Sequence, residues 1–550
     1  MILMLNNLNT INKAIEDTLV KHGFTVKVTL EFSRYPDRSD IQCNELLKYK
    51  DYKDISKLIE EIKINLEELK EVEACTIGDD RFINIVLSNK FLEKELAKNK
   101  EDFINNLKTS KKKKVLIDYG GPNIGKALHV GHLRSLSIGR SIYNMHTLIG
   151  DNVVSDIHLG DWGMPVAYII ALIEKEGIKN YDKDYFKLEE IYPRATELAD
   201  KDKEFYKKAK NIALDLNNNK KGYLEIWNKM LFISKDYIKE VLDRLGHKFD
   251  KWDGESTVNS FIEPMLKRLK EDGKLVLNDG ALVANIDTDP PILITKSDNS
   301  YLYITTDLAT AIERNKDSYD HIVYVVDSRQ KKHFEQLFEC VDYFEISDAK
   351  FEHVGFGTIN GLDGKPLKTR DGDVYKLDQL YLDIESKLSE NKTPKQVIGT
   401  LVNSILTYSD LITNRATDYK FDIDKFTETT GKTAIYIHYS SVRAKNILRK
   451  NTEEYSLKNF IISNIIERDL VITILKFKYF LDLALTQHEP HYIAEYAYEL
   501  SSKFNSFYED EVIINLSGNE KKSKLFLTKS VLDVLGTAMF CLGLEEIDEL

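Results

Sequence analysis

Residues 114–132, Lys-Val-Leu-Ile-Asp-Tyr-Gly-Gly-Pro-Asn-Ile-Gly-Lys-Ala-Leu-His-Val-Gly-His, constrain this chain more than any other stretch. The apolar run Val115–Ile117 reads as a buried parallel strand, because a strand covered on both faces shows no polar side. Gly120, Gly121 and Pro122 break it. Helical spacing then runs from about Leu133 to Ile149, with Leu133, Leu136, Ile142, Met145 and Ile149 apolar and Gly150 as the C-terminal cap. A strand that feeds a glycine-rich turn and then a helix N-terminus is a natural place for a phosphate. Unpaired N–H groups and the helix dipole both face it.

His129 and His132 close that turn, with only Val130 and Gly131 between them. Gly131 lets a flat ligand approach the backbone. A histidine pair there can donate hydrogen bonds to phosphate oxygens as charge builds on them. Taken alone, histidines at this spacing also arise by coincidence. A metal ion would need a third ligand, and no neighbouring residue supplies one.

A chain of 550 residues holds about two to four domains with ample core. Hydrophobic residues at 42% and charged residues at 30% are the balance of a soluble globular protein. No uninterrupted apolar run approaches membrane-spanning length, so no membrane partner is expected. The start, Met-Ile-Leu-Met-Leu-Asn-Asn, lacks the basic segment and long apolar core of a secretory signal. Cys43, Cys75, Cys340 and Cys541 are far apart and fit a reducing, cytoplasmic setting. The net charge of −12 argues mildly against nucleic acid. Phosphate contacts, however, need a local basic face and not a basic total.

Residues 1–108 read as a small α+β unit. Phe24–Phe32 alternates as a strand, Ile55–Leu69 has helical spacing, and Arg81–Leu87 is a further strand. Lys111–Lys114 is read as a solvated linker. A strand over 152–157 after the signature helix makes a βαβ unit of the length of half a dinucleotide-type fold. Residues 172 to about 250 are charged and helical, an insertion closed by Phe249-Asp-Lys-Trp-Asp-Gly-Glu-Ser256. The second half-fold begins near Pro291, with strands expected at Ile292–Thr295 and Tyr301–Thr305, helical spacing from Asp307, and a strand from His321 that ends in a polar loop at Gln330. Ligands in such sheets lie beyond the carboxyl ends of the strands, which puts Asp307 and Gln330 at the ligand edge. Gly361–Gly372 is a cationic loop that, by itself, reads as a charged surface hairpin. From residue 381 the chain is almost wholly helical.

Pro122-Asn-Ile-Gly-Lys-Ala-Leu-His-Val-Gly-His132 resembles the HIGH signature of class I aminoacyl-tRNA synthetases in its arginyl form. Gly160-Asp-Trp-Gly163 and the 249–256 stretch are similar to the same family, and Pro366-Leu-Lys-Thr-Arg370 stands where that class carries its KMSKS loop, with Thr369 in place of the second lysine. The resemblance implies an α/β protein in three parts. These are an N-terminal additional domain (1–108) touching the tRNA elbow, a Rossmann-like parallel-sheet catalytic domain (109–380) and an all-helical anticodon-binding domain (381–550).

It implies ATP-dependent arginylation of tRNA(Arg) by a monomer, with ATP bringing Mg2+. Catalysis would fall to His129, His132, Lys126, Lys368 and Arg370. ATP would be held by Pro122, Gly125, His129, Gly131, His132 and Lys365, and L-arginine by Asp118, Asn123, Tyr303, Asp307 and Gln330. Phe82 and Asn84 would touch a tRNA base, although a strand with Phe82 in the core explains them equally. Asp307, just before helical spacing, also suits a helix cap. His438 replaces a glutamine usual in the family. A nucleotidylyltransferase can carry the same histidine turn but would not need the lysine loop or the helical domain. A silent RNA-binding paralogue would be expected to have lost a signature histidine, and both are present.

Overall fold

The computed structural model describes residues 8–33, 35–181, 185–298, 300–368, 375–451, 460–510, 513 and 516–550. The chain divides into two units: Thr109–Thr427, and a second made from both chain ends, Met1–Lys108 with Glu428–Leu550.

The first part of the two-ended unit sets helices Asn9–Lys21, Ile55–Glu67 and Asn89–Leu107 with β1 (Glu31–Phe32), β2 (Ile41–Cys43), β3 (Val72–Ile77) and β4 (Ile83–Leu87), an antiparallel sheet in the order β1–β2–β4–β3. The strand expected from Phe24 pairs only at Glu31–Phe32. Upstream of it the Val28 amide donates to Glu16 Oε1 at 2.7 Å, so a side chain takes the place of a ladder partner. Among the described residues, five helices follow from the other end: Ala434–Arg449, Ile465–Leu475, Phe477–Gln487, His491–Asp510 and Gly518–Leu542. The last is long and apolar enough to cross a membrane by composition, yet 72% of its apolar window is buried inside the protein, where it serves as a core helix. Arg468 joins the two parts of this unit. Its guanidinium forks onto Asp40 at 2.9 and 2.7 Å and donates to the Leu87 carbonyl at 2.8 Å.

The other unit is built on β5 (Lys114–Tyr119), whose residues from Val115 onward are all buried, as a strand covered on both faces must be. β6 (Asn152–Asp156) lies parallel on one side of it. After β7 (Leu275–Asn278), β8 (Ala281–Ala284) and β9 (Leu293–Thr295), which form a small antiparallel sheet, the chain returns to the other side of β5. There it adds β10 (His321–Val325) and β11 (Lys350–His353), giving the parallel order β11–β10–β5–β6. The direction of strand addition therefore reverses between β5 and β10. Tyr119 and Val325 face each other across that seam, and the crevice beyond their carboxyl ends is the switch point where such sheets bind ligands. Leu116, Ile322, Leu308 and Leu337 share the core beneath it.

Three local expectations change. The signature helix runs Val130–Leu148 and not from Leu133, because the two histidines themselves cap it. The strand expected at Tyr301–Thr305 is instead the start of helix Tyr303–Asn315, with only Tyr301 bridged to Thr295. Its threonines suggest strand, yet Thr305 Oγ1 accepts the Leu302 amide at 3.1 Å and so caps a helix. The helical insertion opens at Met164, where Gly163 takes φ +84° and Pro165 occupies the first turn. It continues through Tyr185–Lys201, Lys203–Asn217 and Lys221–Arg244. Helices Leu377–Glu390 and Lys395–Leu411 stay with the parallel sheet. Buried Arg134 on the signature helix binds Asp410 at 2.8 Å and the Thr417 carbonyl at 2.8 Å. A short pairing of β12 (Ile359–Asn360) with β13 (Tyr419–Lys420) reinforces this.

Candidate active site

At the carboxyl end of β5 the chain turns through Gly120, with φ +93°, a conformation that glycine adopts without strain. The Asn123 segment is then stitched to the loop after β6: the Gly160 amide donates to the Pro122 carbonyl at 3.0 Å, and the Ile124 amide to the Gly160 carbonyl at 3.1 Å. The turn ends on His129, the N-cap of the signature helix. His129 Nδ1 accepts the Gly131 amide at 3.0 Å, and His132 Nδ1 accepts the His129 amide at 3.0 Å. A Cβ at Gly131 would lie 2.7 Å from the His129 ring, so only glycine permits this cap.

Burial, with Lys126 adding to it, lowers His129 to about 4. Burial and the neighbouring His129 lower His132 to about 3. Both rings are thus neutral near pH 7. Because Nδ1 accepts in each, the proton sits on Nε2, which is left as a donor.

A cleft of about 720 Å3 opens here, lined by Gly125, Lys126, His129 and Gly131 on the turn and by Pro366, Leu367 and Lys368 on the cationic loop. The structure thus brings the signature turn and Lys368 to one cavity. Lys365 lines a neighbouring cavity, not the cleft itself, although Pro366, Leu367 and Lys368 border both. Pro122, Asn123 and His132 do not line the cleft. Thr369 and Arg370 lie outside the described residues.

Asp118, at the end of β5, is not a free carboxylate. Arg314 Nη2 donates to its Oδ2 at 2.5 Å and to Asp156 Oδ2 at 2.7 Å. Burial raises the Asp118 carboxyl despite Arg314. For Asp156, burial is outweighed by the His158 hydrogen bond and the Arg314 charge, and the carboxyl falls well below the usual range. Burial would lower His158, but bonding to Asp156 raises it. Asp118, Asp156 and His158 could converge on a metal ion, but the guanidinium bonded to both aspartates already supplies the cation.

Asp307 lies one helical turn beyond Tyr303, so the two share a face. It is not the helix cap, which is Leu302; its carboxylate accepts His333 Nε2 at 2.6 Å. Gln330 is the N-cap of helix Lys331–Tyr343. Glu255 was not anticipated as a site residue. Its backbone runs beside Leu159, with the Glu255 amide donating to the Leu159 carbonyl at 3.1 Å. Burial raises Glu255 to about 7; His158 opposes this, and the nearby Asp307 and Asp161 add to it. Burial and then Glu255 itself raise the Tyr303 hydroxyl. Glu255, Asp307 and Tyr303 thus lie within electrostatic reach of one another, and paired carboxylates of this kind suit a planar cation. The acid in Gly254-Glu-Ser256 is visible in the sequence, but its place at the sheet edge comes from parallel bridges of Leu159 with Gly254 and of Asp156 with Lys251.

In the two-ended unit, Asn84 Nδ2 donates to the Phe82 carbonyl at 3.3 Å; Phe82 immediately precedes β4, Asn84 lies in it, and both are half-buried. Farther along, Tyr439, Arg443, Asn446, Lys450 and Tyr508 line a cavity of about 440 Å3. The Arg443 guanidinium stands 4.6 Å over the Tyr508 ring. His438 is fully buried, and burial lowers it to about 4.

Comparison with known proteins places this geometry. Residues 93–423 match the family described as tRNA synthetases class I (R), catalytic domain, and residues 437–550 match the DALR anticodon binding domain. An arginine–tRNA ligase of Alkaliphilus oremlandii is 34% identical over 97% of this chain and 98% of its own length. Another, from Francisella tularensis subsp. novicida, is 34% identical over 97% of each. The crystal structure of the Plasmodium falciparum arginyl-tRNA synthetase superimposes with a TM-score of 0.84, 27% identity and full coverage of both chains. The Thermus thermophilus arginyl-tRNA synthetase shares the fold, with a TM-score of 0.79 at 18% identity over 99% of this chain and 100% of that one.

Proposed function

The chain belongs to the class I arginyl-tRNA synthetases, and we propose that the crevice at the β5–β10 switch point is where its substrates react. The enzyme attaches L-arginine to tRNA(Arg) at the expense of ATP. In the first step an oxygen of the arginine carboxylate attacks the α-phosphate. The bond from the α-phosphate to the bridging oxygen breaks, and pyrophosphate leaves with the bonding electrons. In the second step the 2′-hydroxyl of the terminal adenosine attacks the activated carbonyl, loses its proton and displaces AMP. No covalent enzyme intermediate is needed, so the protein acts by positioning and by stabilising phosphoryl charge.

His129 donates its Nε2–H toward the phosphates without introducing a full charge, and His132, by accepting the His129 amide, holds the turn that presents it. Lys126 and Lys368 face the pyrophosphate side, with Lys365 and Arg370 completing the loop. ATP enters as its magnesium complex, in keeping with the usual state of nucleotides. Glu255 and Asp307, with Tyr303, take the guanidinium. Asp118, through the oxygen that Arg314 leaves, takes the α-amino group, and Asn123 and Gln330 border the amino acid. Phe82 and Asn84 meet the tRNA elbow, and the Tyr439–Arg443–Tyr508 cavity meets anticodon bases, where stacking on rings and a guanidinium suits single-stranded RNA. The enzyme works as a monomer in the cytoplasm, a setting in keeping with its four free, buried cysteines.

The observation that carries this reading is the shared cleft: Lys126 and His129 on the capped turn stand in one cavity with Lys368. ATP–pyrophosphate exchange with each amino acid, with and without tRNA(Arg), tests it. Exchange with arginine alone is expected. Exchange with no amino acid, or without regard to which one, would overturn it.

A further inference from the structure

Lys376 lies beyond the cationic loop, at the start of helix Leu377–Glu390, and its backbone is fastened to the signature turn. The Val130 amide donates to the Tyr375 carbonyl at 3.0 Å, the Leu377 amide donates to the Leu128 carbonyl at 3.0 Å, and Lys376 is the bridge partner of His129. Its side chain lines the same cleft as Lys126, His129 and Lys368. The ammonium lies 2.7 Å from Glu189 Oε1 on the helix Tyr185–Lys201, with the lysine side chain 47% and the glutamate 20% exposed. Two other cations on the lining are committed elsewhere, Arg134 to Asp410 and Arg329 to Asp327.

Lys376 also makes little sense as a structural choice. It is the N-cap of helix Leu377–Glu390 and makes no cap hydrogen bond. An ammonium cannot accept from the orphan amides there, and it sits at the positive end of the helix dipole. A serine or aspartate would stabilise that helix better.

We propose that Lys376 is a further phosphate-binding residue of the adenylation step, held aside by Glu189 until a polyphosphate displaces the carboxylate. This rests on reading the cleft as the ATP site. An ion pair whose lysine is half-exposed is a weak one, and a polyphosphate carries several charges to the carboxylate's one. Lys376 thereby supplies a charge that the loop sequence, with Thr369 in place of a lysine, lacks. Glu189 then stands as a like charge beside the phosphates, so its removal is favourable for ATP.

The test uses the full-length enzyme with tRNA(Arg) and ATP as the probe. Lys376→Ser is expected to leave the melting temperature equal or higher, because serine caps better. It is expected to lower kcat/KM for ATP in exchange by about ten-fold or more, with the arginine KM unchanged. Lys376→Arg retains most of the activity. Glu189→Gln lowers the ATP KM by roughly two- to five-fold, and that gain disappears in the Glu189→Gln, Lys376→Ser double variant. If Lys376→Ser leaves ATP use unchanged while His129→Ala abolishes exchange, the cleft is the ATP site and the role given to Lys376 is wrong. If His129→Ala also leaves exchange unchanged, the reading of the cleft has failed. A fall in stability with equal losses for ATP and arginine would make Lys376 structural and overturn the proposal.

Discussion

His132 Nδ1 accepts the backbone N–H of His129 at 3.0 Å, so one signature histidine caps the helix that the other begins. One hydrogen bond fixes both the helix start and the tautomer, leaving Nε2–H as the free donor. The pair joins fold stability to phosphate chemistry, and its behaviour with pH follows.

Burial lowers both rings, to about 4 and about 3, whereas unfolded histidine titrates near ~6.5. Below that pH the unfolded chain binds protons that the folded chain refuses. The contribution to stability is therefore present above about 6.5 and is lost as pH falls toward the folded values. Glutamine at this third helical position can still reach back to the cap amide but does not titrate. His132→Gln should accordingly show a shallower fall in melting temperature from pH 7.5 to 5 than the parent. Equal slopes would mean that His132 is not held neutral.

Glu255, raised to about 7, gives arginine binding its own pH dependence. A bound guanidinium favours the ionised carboxylate, so affinity should rise with pH through about 7 and then level off. The arginine KM measured from pH 6 to 8.5 should fall and plateau, and Glu255→Gln should weaken binding and abolish the trend. A KM that does not change with pH in the parent would count against Glu255 as a contact.

Much of the site was legible in the sequence because it lies in one local pattern. An apolar run, Gly120 and a histidine-capped helix specify strand, turn and helix without help from distant residues. What stayed hidden depends on pairing across the chain. The Asp118 carboxylate is shared with Arg314, which comes from a helix far along the sequence. Glu255 reaches the sheet edge through pairing of its stretch with the chain after β6, including the bond of its own amide to the Leu159 carbonyl. Tyr303 was read as strand because the neighbouring threonines favour strands, while the hydroxyl of Thr305 in fact caps a helix.

Lys126 stands in the cleft with His129, and the sequence of the loop has Thr369 in place of its second lysine. Lys126→Ala should slow adenylate formation by about 10²-fold, as for loss of one transition-state charge contact, with arginine affinity nearly intact. Adding Thr369→Lys should recover part of the rate. Single-turnover formation of arginyl-adenylate decides this, and wild-type rates in Lys126→Ala would mark it as an ordinary surface lysine.

Arg468 grips Asp40 through both nitrogens, with Asp40 3% and Arg468 15% exposed in their side chains. Removing one partner leaves a buried charge unpaired, so Arg468→Ala should destabilise this unit by about 3 kcal/mol. Urea unfolding should show an earlier transition, while exchange at 25 °C continues in the folded fraction. An unchanged midpoint would show that the fork contributes little.

Asp307 tests the central claim most directly, because the account places substrate identity in its carboxylate and that of Glu255. The measurement is the pair of KM values, for arginine and for ATP, in tRNA-dependent exchange by Asp307→Asn. Loss of a charged hydrogen bond to the guanidinium should raise the arginine KM by about 10- to 100-fold, with the ATP KM changed less than about two-fold. Citrulline, which keeps the shape of arginine without its charge, should fail as a substrate for the parent. An equal rise in both KM values, or ready activation of citrulline, would contradict the assignment of these carboxylates to the guanidinium.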